Sequence, residues 1–215
     1  MIFRLIRNIF YAISIISISV LAVLNTTIVY RYAIEKYELN KYTGLSTEAL
    51  MDNYKRVINY VQNPFDKELV LNNVPMSEFG RIHFFEVKRI FVALYIISIV
   101  FVLIMIFKLI TNKNKDLGKR LIEDFNGSMN IAALIFIFVS IAAAIDFSKT
   151  FYFFHKIFFR NNYWIFDPAT DPIINALPEE FFMTELILVV ALLIIFTLII
   201  KTIYFKSVFA IKRRR

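Results

Sequence analysis

The two residues best suited to proton transfer are His83 and His155, the only histidines in the chain. An imidazole with a pKa near 6.5 exchanges protons close to neutral pH, so a pair of imidazoles could act as general base and general acid. A histidine near a membrane surface is more often a structural residue, and both interpretations stay open on residue type alone. Both histidines fall a few residues from a predicted membrane crossing, at a similar depth, where they could converge.

Charged residues near His83 could support such a site. Glu86 lies three residues after His83, on the same face of a helix, and its carboxylate could orient the imidazole. Lys88 could contribute a positive charge, or it could only anchor the helix end among lipid headgroups. A zinc site can be drawn from His83, His155 and Glu86, but their spacing matches no zinc motif. We expect no metal and no cofactor.

Several other chemistries lack the residues that they need. The chain has no cysteine, which excludes a thiolate nucleophile and a disulfide. It has no G-x-S-x-G elbow, no H-E-x-x-H motif and no glycine-rich phosphate loop, so we expect no nucleotide partner. Anionic lipid explains the net charge of +8 without any nucleic acid. The apolar runs are nearly free of charge, which argues against an ion or solute pathway.

Four long apolar runs must position these side chains. Each has about 15 to 22 charge-free residues, close to the roughly 20 that cross a hydrocarbon core. The first run could be a cleavable signal peptide, but its length and the lack of a small-x-small cleavage site favour a retained helix. The sequence therefore predicts an all-α membrane protein of four transmembrane helices. These spans are residues 9–30, 89–108, 128–146 and 183–203.

The distribution of Lys and Arg predicts the orientation of these helices. Residues 1–8, 108–125 and 201–215 hold 13 of the 25 basic residues in about 40 positions. Cytoplasmic segments carry such an excess, so both termini, the loop 109–127 and the basic tail 204–215 are expected in the cytoplasm.

The two external segments are expected to form an extracellular cap. Within 31–88, Ser46 and Thr47 precede apolar residues at helical spacing up to Asn63-Pro64, which predicts an amphipathic helix with a hydroxyl N-cap. The segment 147–182 begins with a dense run of aromatic residues, followed by the turn signals Asp-Pro and Pro178. This density indicates either an aromatic belt at headgroup level or an apolar chamber beside the outer leaflet.

Two motifs resemble those of the bacterial lipoprotein intramolecular transacylases. The sequence HFFEVK at 83–88 resembles the family pattern H-x-x-[D/E]-V-K, and FHKIFFRNNYW at 154–164 is similar to its second, longer motif. The continuation through DPATDP at 167–172 to Pro178-Glu179 matches as well. The layout of four helices and two external loops resembles the family over nearly the whole chain.

The resemblance implies an acyltransferase at the outer face of a Gram-positive plasma membrane. Its substrate would be a diacylglyceryl-modified lipoprotein, whose sn-2 acyl chain moves from the glyceryl oxygen to the α-amino group of the N-terminal cysteine. The product is the lyso-form lipoprotein. His83 and His155 correspond to the two family histidines and would be the catalytic pair. The remaining residues expected to bind substrate or support the pair are Glu86, Lys88, Tyr152, Phe154, Asn161, Trp164, Asp167 and Asp171.

The expected chemistry suits these residues. An α-amino group with a pKa of about 7.7–8.0 is mostly protonated at neutral pH, so a histidine must take its proton as it attacks the ester. Donor and acceptor belong to one substrate, so no acyl-enzyme is needed. The residues do not settle which imidazole is the base, or whether Asn161, Lys88 or backbone N–H groups stabilise the oxyanion. The alternative function is a non-enzymatic membrane sensor or assembly factor that binds a partner through the aromatic segment.

Overall fold

The computed structural model describes residues 1–111 and 116–212, with side chains described up to residue 208. Every regular element in this part of the chain is an α-helix. In chain order the helices are α1 Ile2–Leu24, α2 Ile28–Lys36, α3 Leu39–Thr43, α4 Thr47–Gln62, α5 Glu78–Thr111, α6 Leu117–Ile145, α7 Phe147–Phe158, α8 Ile173–Ala176 and α9 Glu179–Lys212.

Four of the described helices, α1, α5, α6 and α9, are long and apolar enough to cross a membrane. The predicted all-α class with four spans is therefore confirmed. Helix α6 begins at Leu117, within the segment 109–127 that was predicted as a cytoplasmic loop. Lys113, Lys115 and Arg213–Arg215, which contribute to the predicted basic surfaces, lie outside the described residues.

Helix starts in the segment before the second span follow the capping signals of the sequence. The Ser46 hydroxyl accepts the Ala49 N–H at 3.2 Å, and α4 ends where Asn63 adopts an extended conformation before Pro64. The Ser77 hydroxyl likewise accepts the Gly80 N–H at 3.0 Å at the start of α5. The amphipathic helix predicted between Ser46 and Asn63 is confirmed, with its apolar side buried.

The chain divides into two compact units. The bundle unit comprises Met1–Val20, Leu94–Ile141 and the chain from Leu188 onward. Its small residues Ala12 and Ala132 pack against Met129. Arg7 pairs with the buried Asp124, and the Lys108 ammonium donates to the Tyr11 hydroxyl at 2.6 Å. These polar contacts join helices α1, α5 and α6 within this unit.

The site unit comprises Leu21–Ala93 and Ala142–Ile187 and contains both histidines. Its core is built around three aromatic rings. Tyr30 and Tyr54 stack with centroids 4.1 Å apart, and Phe181 packs edge-on against both. The Tyr30 hydroxyl donates to the Ala176 carbonyl at 2.8 Å. Aromatic burial thus fixes the start of α9 against α2 and α4.

Candidate active site

The two imidazoles lie side by side in the site unit. His83 comes from the second turn of α5 and His155 from the last turn of α7. Their ring centroids are 5.9 Å apart, and each residue is 7% exposed. Two helices distant in sequence therefore bring the only two histidines of the chain into one buried site.

His155 is held in one tautomer by its own helix. Its Nδ1 lies 2.7 Å from the Phe151 carbonyl oxygen, and because a carbonyl can only accept, Nδ1 carries the proton. The neutral ring then keeps its lone pair on Nε2. Burial lowers the pKa of His155, against opposing effects of the Phe151 carbonyl and the Glu179 carboxylate. The imidazole is therefore a neutral base at pH 7.

His83 has a different environment. Its Nδ1 is buried and has no hydrogen-bond partner among the described residues. Phe159 packs edge-on against its ring at 4.8 Å, and Phe166 does so at 5.5 Å. A buried nitrogen without a partner, beside apolar rings, is available for a hydrogen bond to a substrate atom that reaches it.

Aromatic rings enclose His155 on several sides. The Trp164 indole stacks on it with centroids 4.6 Å apart, and Phe151 lies at 4.3 Å. Phe154 packs edge-on against His155 with centroids 5.4 Å apart, and the Tyr152 and Trp164 rings pack edge-on with centroids 5.0 Å apart. Two of the predicted site residues, Phe154 and Trp164, therefore contact this imidazole, and a third, Tyr152, contacts Trp164.

Asn161 connects the two halves of the site. Its Nδ2 donates to the Glu86 Oε1 at 2.8 Å, and its Oδ1 accepts the Tyr163 N–H at 3.1 Å. Its carbonyl accepts the Trp164 indole N–H at 3.1 Å. This one residue therefore ties α5 to the loop after α7 and sets the position of the indole that lies on His155.

Glu86 is engaged by Asn161. Its second oxygen, Oε2, is buried and has no partner among the described residues, and the same is true of the His83 Nδ1. Glu86 and His83 thus share a side of α5, each with an unpaired atom.

Lys88 contacts α4 and the chain that follows it. It is 4% exposed, its ammonium donates to the Asp66 carbonyl, and it sits 3.7 Å from the centroid of the Tyr60 ring. Through these contacts Lys88 attaches α4 and the chain after it to α5, which is a structural role.

The two predicted aspartates have different surroundings. Asp171 is 3% exposed, and its Oδ1 accepts the Ser77 N–H at 2.7 Å just before α5 begins. Its Oδ2 accepts the Thr170 hydroxyl at 2.8 Å. Asp167 is exposed and accepts the Ala169 N–H within its own turn. Asp171 therefore holds the start of the helix that carries His83, whereas Asp167 shapes a local turn.

Sequence reasoning did not predict Phe151, Phe159 or Glu179 as site residues, although all three lie in the segments that it noted. The position of Phe151 four residues before His155 is a helical signal that could have identified it. Glu179 accepts the Ser148 hydroxyl and contributes negative potential at His155. Among residues 1–111 and 116–208, no three His, Cys, Asp or Glu side chains gather where they could hold a metal ion.

Comparison with known proteins gives a consistent result. The family model of the lipoprotein intramolecular transacylase Lit matches residues 5–182. The chain is similar to the crystal structure of the membrane integral lipoprotein intramolecular transacylase Lit from Bacillus cereus, with a TM-score of 0.84 and 28% sequence identity. The match covers 99% of this chain and 96% of the Bacillus cereus chain. A variant of the Bacillus cereus enzyme with one histidine replaced by arginine is 27% identical, with a TM-score of 0.80, over 99% and 93% of the two chains. A search of curated proteins found no match.

Proposed function

The chain belongs to the Lit family of lipoprotein intramolecular transacylases, and we propose that His83 and His155 are its catalytic pair. The enzyme is a multi-pass membrane acyltransferase that acts on lipoproteins. The observation that carries the proposal is the close approach of the two buried imidazoles, 5.9 Å between centroids. The reaction moves the sn-2 acyl chain of the diacylglyceryl group to the α-amino group of the N-terminal cysteine.

His155 is the base in this proposal. The Phe151 carbonyl occupies its Nδ1–H, so Nε2 offers a lone pair to the amine. As the amine nitrogen bonds to the ester carbon, one amine proton passes to Nε2. The opposite tautomer would bring two lone pairs together at the Phe151 carbonyl, and the helix therefore selects the basic nitrogen.

His83 assists the departure of the glyceryl oxygen. Burial lowers the pKa of His83 to about 3, so this ring is neutral. When the bond from the ester carbon to that oxygen breaks, the N–H of His83 gives its proton to the oxygen while the other nitrogen of His83 takes the proton from His155, and both rings end neutral. The amine has lost one proton, the glyceryl oxygen has gained one, and the enzyme is unchanged. The close approach of the two imidazoles, 5.9 Å between ring centroids, supports this return of the proton.

The aromatic walls supply the geometry that the reaction needs. Donor ester and acceptor amine sit on one flexible lipid, so the main barrier that the protein can lower is the entropy of folding that lipid. Phe151, Phe154, Phe159 and Trp164 offer apolar surface around the imidazoles. Well-oriented intramolecular reactions reach effective molarities of roughly 10⁵–10⁸ M.

The topology is part of the proposal. The excess of Lys and Arg in the terminal and middle segments supports cytoplasmic termini, an extracellular cap built from 31–88 and 147–182, and an active site at the extracellular face. Lipid-anchored lipoproteins of a Gram-positive cell present their modified cysteine on that face. Membrane lipid is the surrounding partner.

An isotope crossover experiment tests this function. Two lipoprotein substrates of different polypeptide mass are prepared, and only one carries a deuterated acyl chain. Transfer within one molecule does not change the mass of the lipoprotein, so intact mass cannot report the reaction. The readouts are therefore the loss of the reactive α-amine and the appearance of an N-acyl fragment in tandem mass spectrometry. We expect each N-acyl chain to stay with its own polypeptide. Exchange of labels between polypeptides, or an α-amine that remains reactive, would contradict the proposal.

A further inference from the structure

Helix α7 has three chemically different sides. At 3.6 residues per turn, they are separated by roughly a third of a turn each. His155 and Phe151 lie on the side that packs against the protein. Lys149 and Lys156, seven residues apart, share a second side, and both are exposed. The third side is apolar and exposed, and it consists of Phe153, Phe154 and Ile157, with the exposed Phe158 at its edge next to Phe151.

The apolar side is too large for a surface in water. Phe153 is 66% exposed and Ile157 is 61% exposed, and the other two side chains are about half exposed. Four neighbouring large apolar side chains on one short helix form a contiguous patch of the kind that contacts lipid or a partner. No other described element of the site unit covers them.

The cationic side supports lipid as the occupant. Lys149 and Lys156 flank the apolar patch along one edge, and Arg160 follows directly after the helix. Asp146 pairs with Lys149 at 3.0 Å, which leaves an excess of positive charge on this edge. Cations beside an apolar face are the arrangement of helices that lie in the membrane interface, with phosphates on one side and acyl chains on the other.

The position of α7 along the chain also supports lipid. Asp146 alone separates α7 from α6, which is one of the helices that can cross a membrane. This residue is extended, with φ −159° and ψ 100°, so the chain turns at the end of α6. The Asp146 carboxylate then accepts the Lys149 N–H at 2.9 Å and starts the new helix. Helix α7 therefore begins one residue beyond the end of a helix that can cross a membrane.

We propose that α7 is an interfacial helix lying in the membrane plane. Lys149, Lys156 and Arg160 bind the phosphates of anionic phospholipids, while Phe153, Phe154, Ile157 and Phe158 contact the acyl chains of the same leaflet. Such helices bury their apolar side about 5–10 Å into the headgroup and acyl boundary. The side that packs against the protein then holds His155 at the depth of the lipid glycerol and ester groups, which is where a lipid substrate presents its ester.

Single-cysteine variants test the proposal directly because the chain has no cysteine of its own. Spin labels are attached to Phe153→Cys, Ile157→Cys, Lys149→Cys and Lys156→Cys in nanodiscs of phosphatidylcholine and phosphatidylglycerol. Phe65→Cys is the matched control, since Phe65 is 88% exposed in the same unit but is not on α7. Collision with oxygen reports contact with lipid, and collision with a nickel chelate reports contact with water.

We expect labels at 153 and 157 to favour oxygen strongly, and the label at 65 to favour the nickel chelate. Labels at 149 and 156 should give intermediate values and the strongest broadening of the lipid phosphorus resonance. The proposal is wrong if the labels at 153 and 157 show the same ratio of oxygen to nickel collisions as the label at 65. It is also wrong if labels on the apolar side broaden the lipid phosphorus resonance as much as labels on the lysine side do. These measurements do not use enzymatic activity, so their outcome is independent of the transacylase assignment.

Discussion

The Trp164 indole rests on the His155 imidazole with their centroids 4.6 Å and their planes 30° apart. Trp164 is the only tryptophan in the chain, so emission excited selectively in tryptophan comes from one indole, and that indole touches the proposed base. Asn161 fixes this contact through the indole N–H. The protonation of His155 and the depth of Trp164 in the membrane can therefore be measured from tryptophan emission without adding a probe.

The first prediction concerns the protonation of His155. Because burial lowers its pKa, we expect Trp164 fluorescence to stay constant from pH 8 down past 6.5 and to fall only at lower pH, when an imidazolium forms and quenches the indole. His155→Gln should abolish the transition, and His83→Gln should retain it. A midpoint at or above 6.5 would contradict the burial argument.

The same shift predicts how folding depends on pH. Between the native pKa of His155 and about 6.5, the unfolded chain binds more protons at this residue than the native protein does. Its contribution to stability is complete above pH 6.5 and is lost as the pH falls. We expect thermal unfolding of the wild-type protein to decline more steeply below pH 6.5 than that of His155→Gln. Parallel declines for the two proteins would show that His155 binds protons equally in both states.

A further prediction concerns the role of Asn161 in holding the site together. Asn161→Ala removes the bonds to Glu86 Oε1 and the Tyr163 N–H. A hydrogen bond to a charged group such as the Glu86 carboxylate contributes about 1.5–3 kcal/mol, and one between neutral groups contributes about 0.5–1.5 kcal/mol. We expect a loss of transacylation rate on the order of tenfold or more and a change in the Trp164 emission. Asn162→Ala is the matched control, because Asn162 is exposed and contacts only Lys156 at 3.5 Å through its side chain. Equal activity of the two variants would refute the role of Asn161.

Gly80 tests how the start of α5 is held. A Cβ at this position would lie 2.3 Å from Asp171 Oδ1 and 2.9 Å from Met76 Cγ. Gly80→Ala must therefore displace the carboxylate that accepts the Ser77 N–H, and overpacking of this kind costs about 1–3 kcal/mol. Gly118→Ala has nothing within 4 Å and should leave unfolding unchanged or slightly improved. We expect Gly80→Ala to lower both the melting temperature and the activity, and a wild-type result would be inconsistent with this anchoring.

Lys88 is expected to be structural. Lys88→Met keeps the length of the side chain but removes the donor to the Asp66 carbonyl and the cation over Tyr60. The chain after α4 should then open more often, which limited proteolysis at 64–72 can detect. Lys67→Met, at an exposed neighbouring position, should leave the cleavage rate unchanged. If Lys88→Met abolishes catalysis without faster cleavage, Lys88 would act on the substrate instead.

Much of the fold could be predicted because its signals are local. Charge-free runs identify the four long helices, and Ser46 and Asn63-Pro64 delimit α4. Helix α7 was not predicted as a helix, because its many aromatic residues obscure the helical spacing of apolar and polar positions. The Asn161 bond to Glu86 and the direction of Lys88 depend on contacts between distant segments, which no periodicity encodes. The tautomer of His155 needed the position of one carbonyl oxygen.

The most direct test of the catalytic pair is a double-mutant cycle on the rate of α-amine loss from one purified diacylglyceryl lipoprotein. His83→Gln and His155→Gln should each lower the rate by about 10²–10⁴ while Trp164 emission and thermal unfolding remain close to those of the wild type. Because the two rings act in one proton transfer sequence, the double variant should be no slower than the slower single variant. A near wild-type rate in either single variant would contradict the assignment of a catalytic pair. So would a rate loss in the double variant that equals the product of the two single losses.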